Sequence, residues 1–443
     1  MLKKTFAFIS LGCAKNLVDS EEIIGSLQSA GFQLKQDIKK ASFAIINTCA
    51  FLKEARSEAL KTLKEVALVK KNPKSQLKKI AVIGCLAQYY NEAQIKKLVP
   101  EIDLAVTIDN YHAIPDLLER MVSPRADIKE VERVKRRFLS GSPHSVYIKI
   151  AEGCNNRCSY CLIPSLRGRL RSRSMGDILD EVKAVQKLGT REICLIAQDT
   201  TAYGLDYYGK GMIVELLKRL SAVKGIYWIR LLYAHPARVT KDLLNTIKEE
   251  PRICKYIDLP IQHISDKILR RMGRMSGKEK IVSLYNDIRD LIPDVTLRTT
   301  VMTGYPGEGE REFNELLNFL KEYPFERLGI FPFSPERGTR AFKQGHRVKT
   351  EVINQRLEKL LEQQKDISRE FNRSLLGKRV EVMVDFPHPE RNNAYGRLVS
   401  QAPEVDGKVV ITGVSRVHPG DFLPVKISGV GTFDLLGSNL DGK

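Results

Sequence analysis

The sequence predicts an α/β protein in three parts: an N-terminal parallel sheet, a central incomplete parallel barrel, and a small C-terminal all-β barrel. Short apolar runs alternate with helical patterns over residues 5–108, and a second series of this kind begins at residue 146. Alternating strands and helices are typical of parallel sheets. After Gly377 the pattern changes to short Val- and Ile-rich runs between turn residues, with no helical periodicity.

The N-terminal domain is predicted to span residues 1–122. Helical patterns at 20–30 and 52–69 separate its apolar runs, and Gly31 stands where the first helix should end. The predicted strands are 5–10, 43–47, 80–84 and 104–108.

The central domain is predicted over residues 140–373, after a charged, irregular linker at 123–139. Its clearest helix is 176–188, with apolar residues on one face up to Leu188, and a long charged helix at 351–372 closes the domain. Six strand–helix units favour an incomplete relative of the eight-fold parallel barrel. The predicted strands are 146–151, 192–197, 227–233, 256–259, 296–302 and 327–331.

The last domain, residues 374–443, is predicted to be a small barrel of the oligonucleotide-binding kind. Its predicted strands are 379–385, 408–411 and 424–427.

The charge balance favours a polyanionic neighbour. The net charge is +19, from 72 basic and 53 acidic residues, which suits nucleic acid or a ribonucleoprotein. No stretch reaches the ~20 apolar residues needed to span a bilayer, and the short apolar run near the start reads as a strand rather than an export signal. We therefore expect a cytoplasmic protein with no membrane partner.

Three cysteines directly after the strand at 146–151 form the most specific motif. Cys154, Cys158 and Cys161 are spaced so that one loop can bind a face of a cubic iron–sulfur cluster. Because only three thiolates are local, one iron is left open for chemistry. Zinc is the alternative, but zinc motifs usually include a second ligand pair, which is not evident nearby.

Three further cysteines each follow a predicted N-terminal strand at equal intervals. Cys13, Cys49 and Cys85 lie just past strands whose carboxyl ends should share one edge of a parallel sheet. They are predicted to bind a second cluster; the other interpretation is three small core residues. Cys194 is interpreted as strand core and Cys254 as incidental.

The two cysteine sets together resemble those of the radical S-adenosylmethionine methylthiotransferase family, and the resemblance covers essentially the whole chain. It implies a Rossmann-like N-terminal domain with an auxiliary 4Fe–4S cluster, a partial (β/α)6 radical-SAM barrel and a C-terminal TRAM barrel. Within the family, the RimO-type branch is the more similar, with Tyr305 where Phe is usual and Thr201 where Ser is usual. The similar segments are 9–21, 163–173, 198–204, 259–266, 303–308, 402–407 and 419–422.

This resemblance implies methylthiolation of the β-carbon of an aspartate in small-subunit ribosomal protein twelve. S-adenosylmethionine would be both methyl donor and radical source, with sulfur delivered at the auxiliary cluster and no acid–base residue assigned. The implied partners are the ribosomal protein, on the assembling ribosome near rRNA, and an electron donor such as flavodoxin or ferredoxin. The implied cluster ligands are Cys13, Cys49 and Cys85 for the auxiliary cluster and Cys154, Cys158 and Cys161 for the radical cluster; the implied S-adenosylmethionine contacts are Tyr160, Gln198, Gln262, Thr303 and Gly304.

Two alternative functions remain open at this point. The other branch of the family methylthiolates isopentenyl-adenosine in tRNA, and the basic charge and the C-terminal barrel would suit that substrate. The second alternative is a zinc-bearing, non-enzymatic ribosome-binding module.

Several further residues have two interpretations each. Gly304 and Gly307 either let the backbone approach a cofactor or form a plain tight turn. His263 is interpreted as structural. The arginine run that starts at Arg167 could be a solvated face, but contact with a carboxylate or ribosomal RNA is favoured. The run consists of Arg167, Arg169, Arg171 and Arg173.

Overall fold

A computed structural model describes residues 2–123, 137–388, 390 and 392–440. The chain divides into two compact units: Met1–Gly141 together with Cys161–Arg169, and Ser142–Tyr160 together with Leu170–Lys443. Most of the predicted linker lies outside the described residues. No helix in the described ranges has the length and apolar character needed to cross a membrane.

The first unit contains a five-stranded parallel sheet flanked by helices. Its strands are β1 Thr5–Ser10, β2 Gln33–Leu34, β3 Phe43–Thr48, β4 Lys79–Gly84 and β5 Leu104–Val106. Its helices are α1 Ala14–Ser29, α2 Lys53–Lys71, α3 Cys85–Tyr89, α4 Glu92–Leu98, α5 Ile114–Val122 and α6 Ile163–Leu166.

Both faces of this sheet are buried, as expected for a parallel sheet. Ile45 packs with Phe6 and Leu27 on one face, whereas its neighbour Ile46 packs with Leu63 on the other, because successive strand residues point to opposite faces. Helix α1 begins at Ala14, before the predicted residue 20. Its first turns bury polar side chains, which an apolar pattern cannot reveal.

The strand order of this sheet is β2-β1-β3-β4-β5. The order therefore reverses between β1 and β3, which have β2 and β4 on their outer sides. In open α/β sheets, ligands bind in the crevice beyond the carboxyl ends of the strands at such a reversal.

The second unit begins with a six-stranded parallel sheet in the order β13-β12-β11-β10-β9-β6. Each strand of the sheet lies beside the previous one, which is typical of a barrel; β7 and β8 form a separate antiparallel pair. The strands are β6 Ser145–Lys149, β7 Ala151–Glu152, β8 Arg171–Ser172, β9 Glu192–Ile196, β10 Trp228–Leu231, β11 Ile253–Asp258, β12 Thr296–Thr303 and β13 Arg327–Pro332. The helices are α7 Met175–Gln186, α8 Ile213–Ser221, α9 Lys241–Glu249, α10 Asp266–Met272, α11 Lys278–Leu291, α12 Glu310–Glu322 and α13 Thr350–Arg373.

Two expectations for this unit are wrong. Strand β11 begins three residues earlier than predicted, so Cys254 is a buried strand residue rather than an incidental one. Leu188 is 58% exposed, because α7 ends at Gln186 and Leu188 therefore does not continue the apolar face of the helix. Cys194 is buried in β9, as predicted.

The C-terminal part forms a closed barrel in the order β14-β15-β16-β18-β17. Its buried residues, such as Ile411 and Val425, alternate along β16 and β17 with more accessible ones and fill the interior. Strands β15 and β18 were not predicted, because they are short and interrupted by Gly396 and Gly437. The strands are β14 Arg379–His388, β15 Asn393–Arg397, β16 Val409–Thr412, β17 Phe422–Val430 and β18 Leu435–Asn439. The predicted α/β fold class, with its three kinds of domain, is confirmed.

Candidate metal centres

The three N-terminal cysteines lie at the carboxyl edge of the first sheet, where its strand order reverses. Cys13 follows β1 and precedes α1, Cys49 follows β3, and Cys85 is the first residue of α3, directly after β4. A Cβ atom on Gly12, whose φ is +102°, would lie 2.9 Å from the Cβ of Cys49. Glycine at position 12 therefore permits the close approach of the first two cysteine loops.

A polar network ties these loops together. The Asn16 amide nitrogen donates to the carbonyl oxygens of Leu11, at 2.9 Å, and Thr48, at 3.1 Å. The Thr48 hydroxyl donates to the carbonyl of Ile83, at 2.6 Å, and accepts a bond of 3.3 Å from the amide of Leu86. The residues flanking all three cysteines are thus connected through two side chains.

The three thiols influence one another electrostatically. Burial raises the pKa of Cys49, and the nearby Cys13 raises it further. Burial also raises the pKa of Cys85 to about 11, an effect that the charge of Arg167 opposes and the other two thiols reinforce. A cysteine binds a metal as its thiolate, so nearby positive charge is needed to stabilise the deprotonated form of these thiols.

Arg167 supplies positive charge within this unit. It is 3% exposed; its Nη2 lies 3.1 Å from Oδ2 of Asp19 and donates to the Asn16 side chain. The favoured carboxylate contact of the arginine run is therefore found at Arg167, inside the same chain. Arg173 likewise pairs with Glu181, so these two arginines do not form a solvated face.

Each cysteine sulfur of the second set, Cys154, Cys158 and Cys161, lies near a hydrogen-bond donor. The Asn156 amide lies 3.4 Å from the sulfur of Cys154, and the Ile163 amide lies 3.4 Å from that of Cys161. The Arg274 guanidinium donates to the sulfur of Cys158 over 3.8 Å. Donors to sulfur stabilise thiolate ligands, so each of these three cysteines fits the role of a cluster ligand.

The loop between Cys158 and Cys161 is anchored to its surroundings. The Ser159 amide donates to the carbonyl of Met272, and its hydroxyl lies 2.7 Å from the hydroxyl of Tyr305. A phenylalanine at 305 would lack this contact. The hydroxyl by which residue 305 departs from the family pattern therefore holds the cysteine loop.

In the described part of the chain, no three His, Cys, Asp or Glu side chains converge to hold a single metal ion. A cubic cluster does not need such convergence, because each thiolate binds a different iron.

Gln198 follows the carboxyl end of β9 and has one free hydrogen-bonding atom. Its amide nitrogen donates to Glu152 at 2.8 Å. Its buried side-chain oxygen has no hydrogen-bond partner among the described residues. A cofactor donor could satisfy this oxygen.

Thr303 and Gly304, at the end of β12, are both held by Glu308. The Thr303 hydroxyl and the Gly304 amide donate to its carboxylate at 2.9 and 2.8 Å. Gly304 has φ +81°, and a Cβ there would lie 2.5 Å from Cγ1 of Ile353 in α13. Packing thus requires glycine at position 304.

The other two predicted cofactor contacts are half-buried. Gln262 has φ +71°, and its backbone bonds to Thr300 and Met302 of β12. Tyr160 packs against a buried apolar cluster that includes Met272 and Tyr305. Gln262 lies beyond the carboxyl end of β11, and Tyr160 lies in the cysteine loop that follows β6 and β7. Parallel barrels place their active sites at the carboxyl ends of their strands.

Sequence reasoning missed a polar cluster beside Cys154. Oδ2 of Asp199 accepts bonds from Asn156, at 2.9 Å, and Arg238, at 2.7 Å. Together with Cys154 they line a cavity of about 90 Å³. The only sequence signal was the position of Asp199, just after a strand in one of the family-like segments.

His263 has no acid–base role in this arrangement. It is fully buried, and burial lowers its pKa to about 3. Its Nδ1 accepts a bond of 2.9 Å from the Ser265 amide. The imidazole is therefore neutral and structural.

Three family models match the chain. They are the Radical SAM superfamily over residues 148–320, Uncharacterized protein family UPF0004 over residues 5–107, and the TRAM domain over residues 376–439. The three matches fall on the three parts of the fold described above.

Full-length relatives identify the family. A protein of Thermoanaerobacter sp. (strain X514), named ribosomal protein uS12 methylthiotransferase RimO, is 41% identical, covering 98% of this chain and 99% of that protein. The chain belongs to the uS12 methylthiotransferase family. Family members from Carboxydothermus hydrogenoformans and Clostridioides difficile (strain 630) are each 40% identical; the alignments cover 98% and 99% of this chain, and the same shares of those proteins. Membership implies a 4Fe–4S cluster and S-adenosylmethionine, and the chain is a radical SAM methylthiotransferase.

Solved structures outside this family share its fold. The radical S-adenosylmethionine methyltransferase TsrM from Kitasatospora setae superimposes with a TM-score of 0.57 at 12% identity, covering 82% of this chain and 89% of that chain.

Proposed function

We propose that this enzyme methylthiolates the β-carbon of an aspartate in ribosomal protein uS12, in the cytoplasm, with S-adenosylmethionine and two 4Fe–4S clusters. The observation that carries the proposal is the presence of two separate cysteine trios: one follows strands β1, β3 and β4 of the first sheet, and the other begins directly after β6 and β7. The full-length relatives named for uS12 support the choice of substrate.

Cys13, Cys49 and Cys85 are the proposed ligands of the auxiliary cluster. Their loops meet at the strand-order reversal, and Asn16 and Thr48 hold the flanking backbone. This site would deliver the sulfur.

Cys154, Cys158 and Cys161 are the proposed ligands of the radical cluster. When bound and reduced, this cluster would supply one electron for the cleavage of S-adenosylmethionine into methionine and a 5′-deoxyadenosyl radical, which would take hydrogen from the aspartate. The chain positions the site through hydrogen bonds from the Asn156 and Ile163 amides and Arg274 to the sulfurs.

The proposed S-adenosylmethionine contacts are Tyr160, Gln198, Gln262, Thr303 and Gly304. The strongest support is for Gln198, whose buried side-chain oxygen needs a donor. The support is weaker for Thr303 and Gly304, which Glu308 already holds.

The proposed partners follow from charge and chemistry. The net charge of +19 suits a substrate presented near rRNA on the assembling ribosome. Each radical cleavage also consumes an electron, which a flavodoxin or ferredoxin would donate.

The substrate is tested by mass spectrometry of uS12 and of total tRNA from a strain lacking this gene. We expect uS12 to lose the mass of one methylthio group in place of hydrogen, with tRNA unchanged. Loss from tRNA alone would overturn the proposal in favour of isopentenyl-adenosine. Zinc instead of iron and sulfide in the purified protein would favour the non-enzymatic module.

A triple variant separates the two clusters. C13A/C49A/C85A should bind about four iron atoms instead of about eight and should still cleave S-adenosylmethionine to 5′-deoxyadenosine when reduced. It should form no methylthiolated uS12 peptide, as measured by mass spectrometry. C194A, which removes a buried cysteine from β9, is the control and should keep full iron content. Methylthiolation by the triple variant would refute the auxiliary site.

A further inference from the structure

The segment that begins at the third cysteine of the radical motif belongs to the unit that carries the other three cysteines. It spans Cys161–Arg169 and contains the short helix α6. Leu162 and Leu166 are buried in the same apolar cluster as Ile46 and Leu86. Apolar packing therefore fixes this segment beside the strand ends that carry the auxiliary cysteines.

Arg167, near the end of this segment, reaches the cysteine loops. It is held by two residues of α1: its Nη2 is 3.1 Å from Asp19, and it donates to Asn16. Asn16 in turn bonds to the carbonyls before Cys13 and Cys49. The Asn16 oxygen that accepts from Arg167 also lies 4.0 Å from the sulfur of Cys13. One buried guanidinium is thus close to a proposed ligand and is tied, through Asn16, to the backbone of two cysteine loops.

The buried charge of Arg167 affects the reduction potential of a cluster bound nearby. A cubic cluster with three thiolate ligands carries a net negative charge that grows on reduction. In a buried site of low dielectric, a cation close to a thiolate interacts strongly with that charge. It therefore stabilises the reduced cluster more than the oxidised one and raises the reduction potential.

We propose that Arg167 is a positioning residue of the auxiliary cluster: it holds the cysteine loops in register and sets the reduction potential of the cluster through its charge. This inference rests on the proposed auxiliary site. The same nine-residue segment carries both Arg167 and Cys161, a proposed ligand of the radical cluster.

The test isolates the auxiliary cluster in a C154A/C158A background, which leaves the segment 161–169 unchanged. Midpoint potentials are measured by redox titration monitored by electron paramagnetic resonance, together with iron content. Adding R167Q to this background should move the midpoint potential to more negative values. R167K, which keeps the positive charge, should have a potential close to that of the background protein. D19N should move the potential the opposite way, because it removes the carboxylate that offsets the guanidinium.

R137Q is the matched control. Arg137 forms a comparable buried ion pair, at 2.6 Å, with Glu21 of α1, the helix that also carries Asp19. Loss of this ion pair should lower the melting temperature without changing the midpoint potential.

The outcomes separate this inference from the proposed function. A background protein with no iron at all would refute the auxiliary site itself. If that protein binds about four irons and R167Q has an unchanged potential, only the role of Arg167 is refuted. If R167Q does not fold or does not bind iron, R167K and D19N decide: no shift in D19N refutes the proposal, and a positive shift supports it.

Discussion

At the scale of single residues, packing and cofactor binding are two separate reasons for a glycine at position 304. Its φ of +81° lies in the left-handed region, and a side chain there would meet Ile353 of α13. Its amide is used by the buried carboxylate of Glu308, which also pairs with Arg356 at 2.9 Å. The turn is therefore locked to the helix that closes the central domain, whatever binds nearby.

We expect G304A to destabilise the central domain by about 1–3 kcal/mol, because of overpacking and the unfavourable φ. Thermal unfolding would measure the loss, and G345A is the control, since a Cβ at 345 meets no atom within 4 Å. Adding I353A to G304A should recover the overpacking part. If that double variant binds S-adenosylmethionine more weakly than I353A alone, the glycine also serves the cofactor.

At the scale of elements, a buried charge network joins the central sheet to the C-terminal barrel. Glu192, the first residue of β9, accepts bonds from Arg230 of β10, at 3.0 Å, and Arg397 of β15, at 2.8 Å. Arg397 also pairs with Asp385 of β14. Burial alone would raise the pKa of Glu192, but Arg397 and Arg230 outweigh it and hold that pKa at about 2.

E192Q should destabilise the protein by about 3–5 kcal/mol near neutral pH, because it leaves two buried guanidinium groups poorly compensated. The stability that ionised Glu192 provides is fully present above the unfolded-state pKa of about 4.3. It should fall by about 3 kcal/mol as the pH drops from there through the folded-state pKa of about 2. Melting temperatures of both proteins between pH 7 and pH 3 would check this; a gap that does not narrow in acid contradicts it.

At the scale of the whole molecule, the C-terminal barrel also contacts the central sheet through the loop from Leu398 to Asp406. The Arg230 guanidinium donates to the carbonyl of Val399 at 2.8 Å. The Tyr256 hydroxyl donates to Asp406 at 2.7 Å, and the Tyr147 hydroxyl contacts the carbonyl of Pro403 at 3.4 Å. These groups come from strands β6, β10 and β11, so the loop supplies hydrogen-bond acceptors to polar side chains on three strands of the sheet.

Truncation after Leu376 should therefore destabilise the central domain rather than simply remove an appendage. It would leave Glu192, Arg230 and Tyr256 without partners that they now have in the barrel. Limited proteolysis and thermal unfolding of the truncated chain would show earlier cleavage and a lower melting temperature. An unchanged transition for the central domain would mean that the barrel is only tethered.

The sequence by itself determined the fold class, most strand positions and the six candidate ligand cysteines. These depend on local information: apolar periodicity specifies strands and helices, and a cysteine just past a strand lies at a known edge of a parallel sheet. Strands β15 and β18 escaped prediction because their short, glycine-containing runs are stabilised by neighbouring strands rather than by their own pattern.

Only the tertiary structure decided which polar groups meet. Arg167 reaches Asp19 across 148 positions of sequence, Arg397 reaches Glu192 across 205, and Gly304 lies against Ile353 of α13. A charged side chain on a sequence has the same appearance whether solvent or a distant carboxylate surrounds it. Its role depends on burial and partner, and those exist only once the chain has folded.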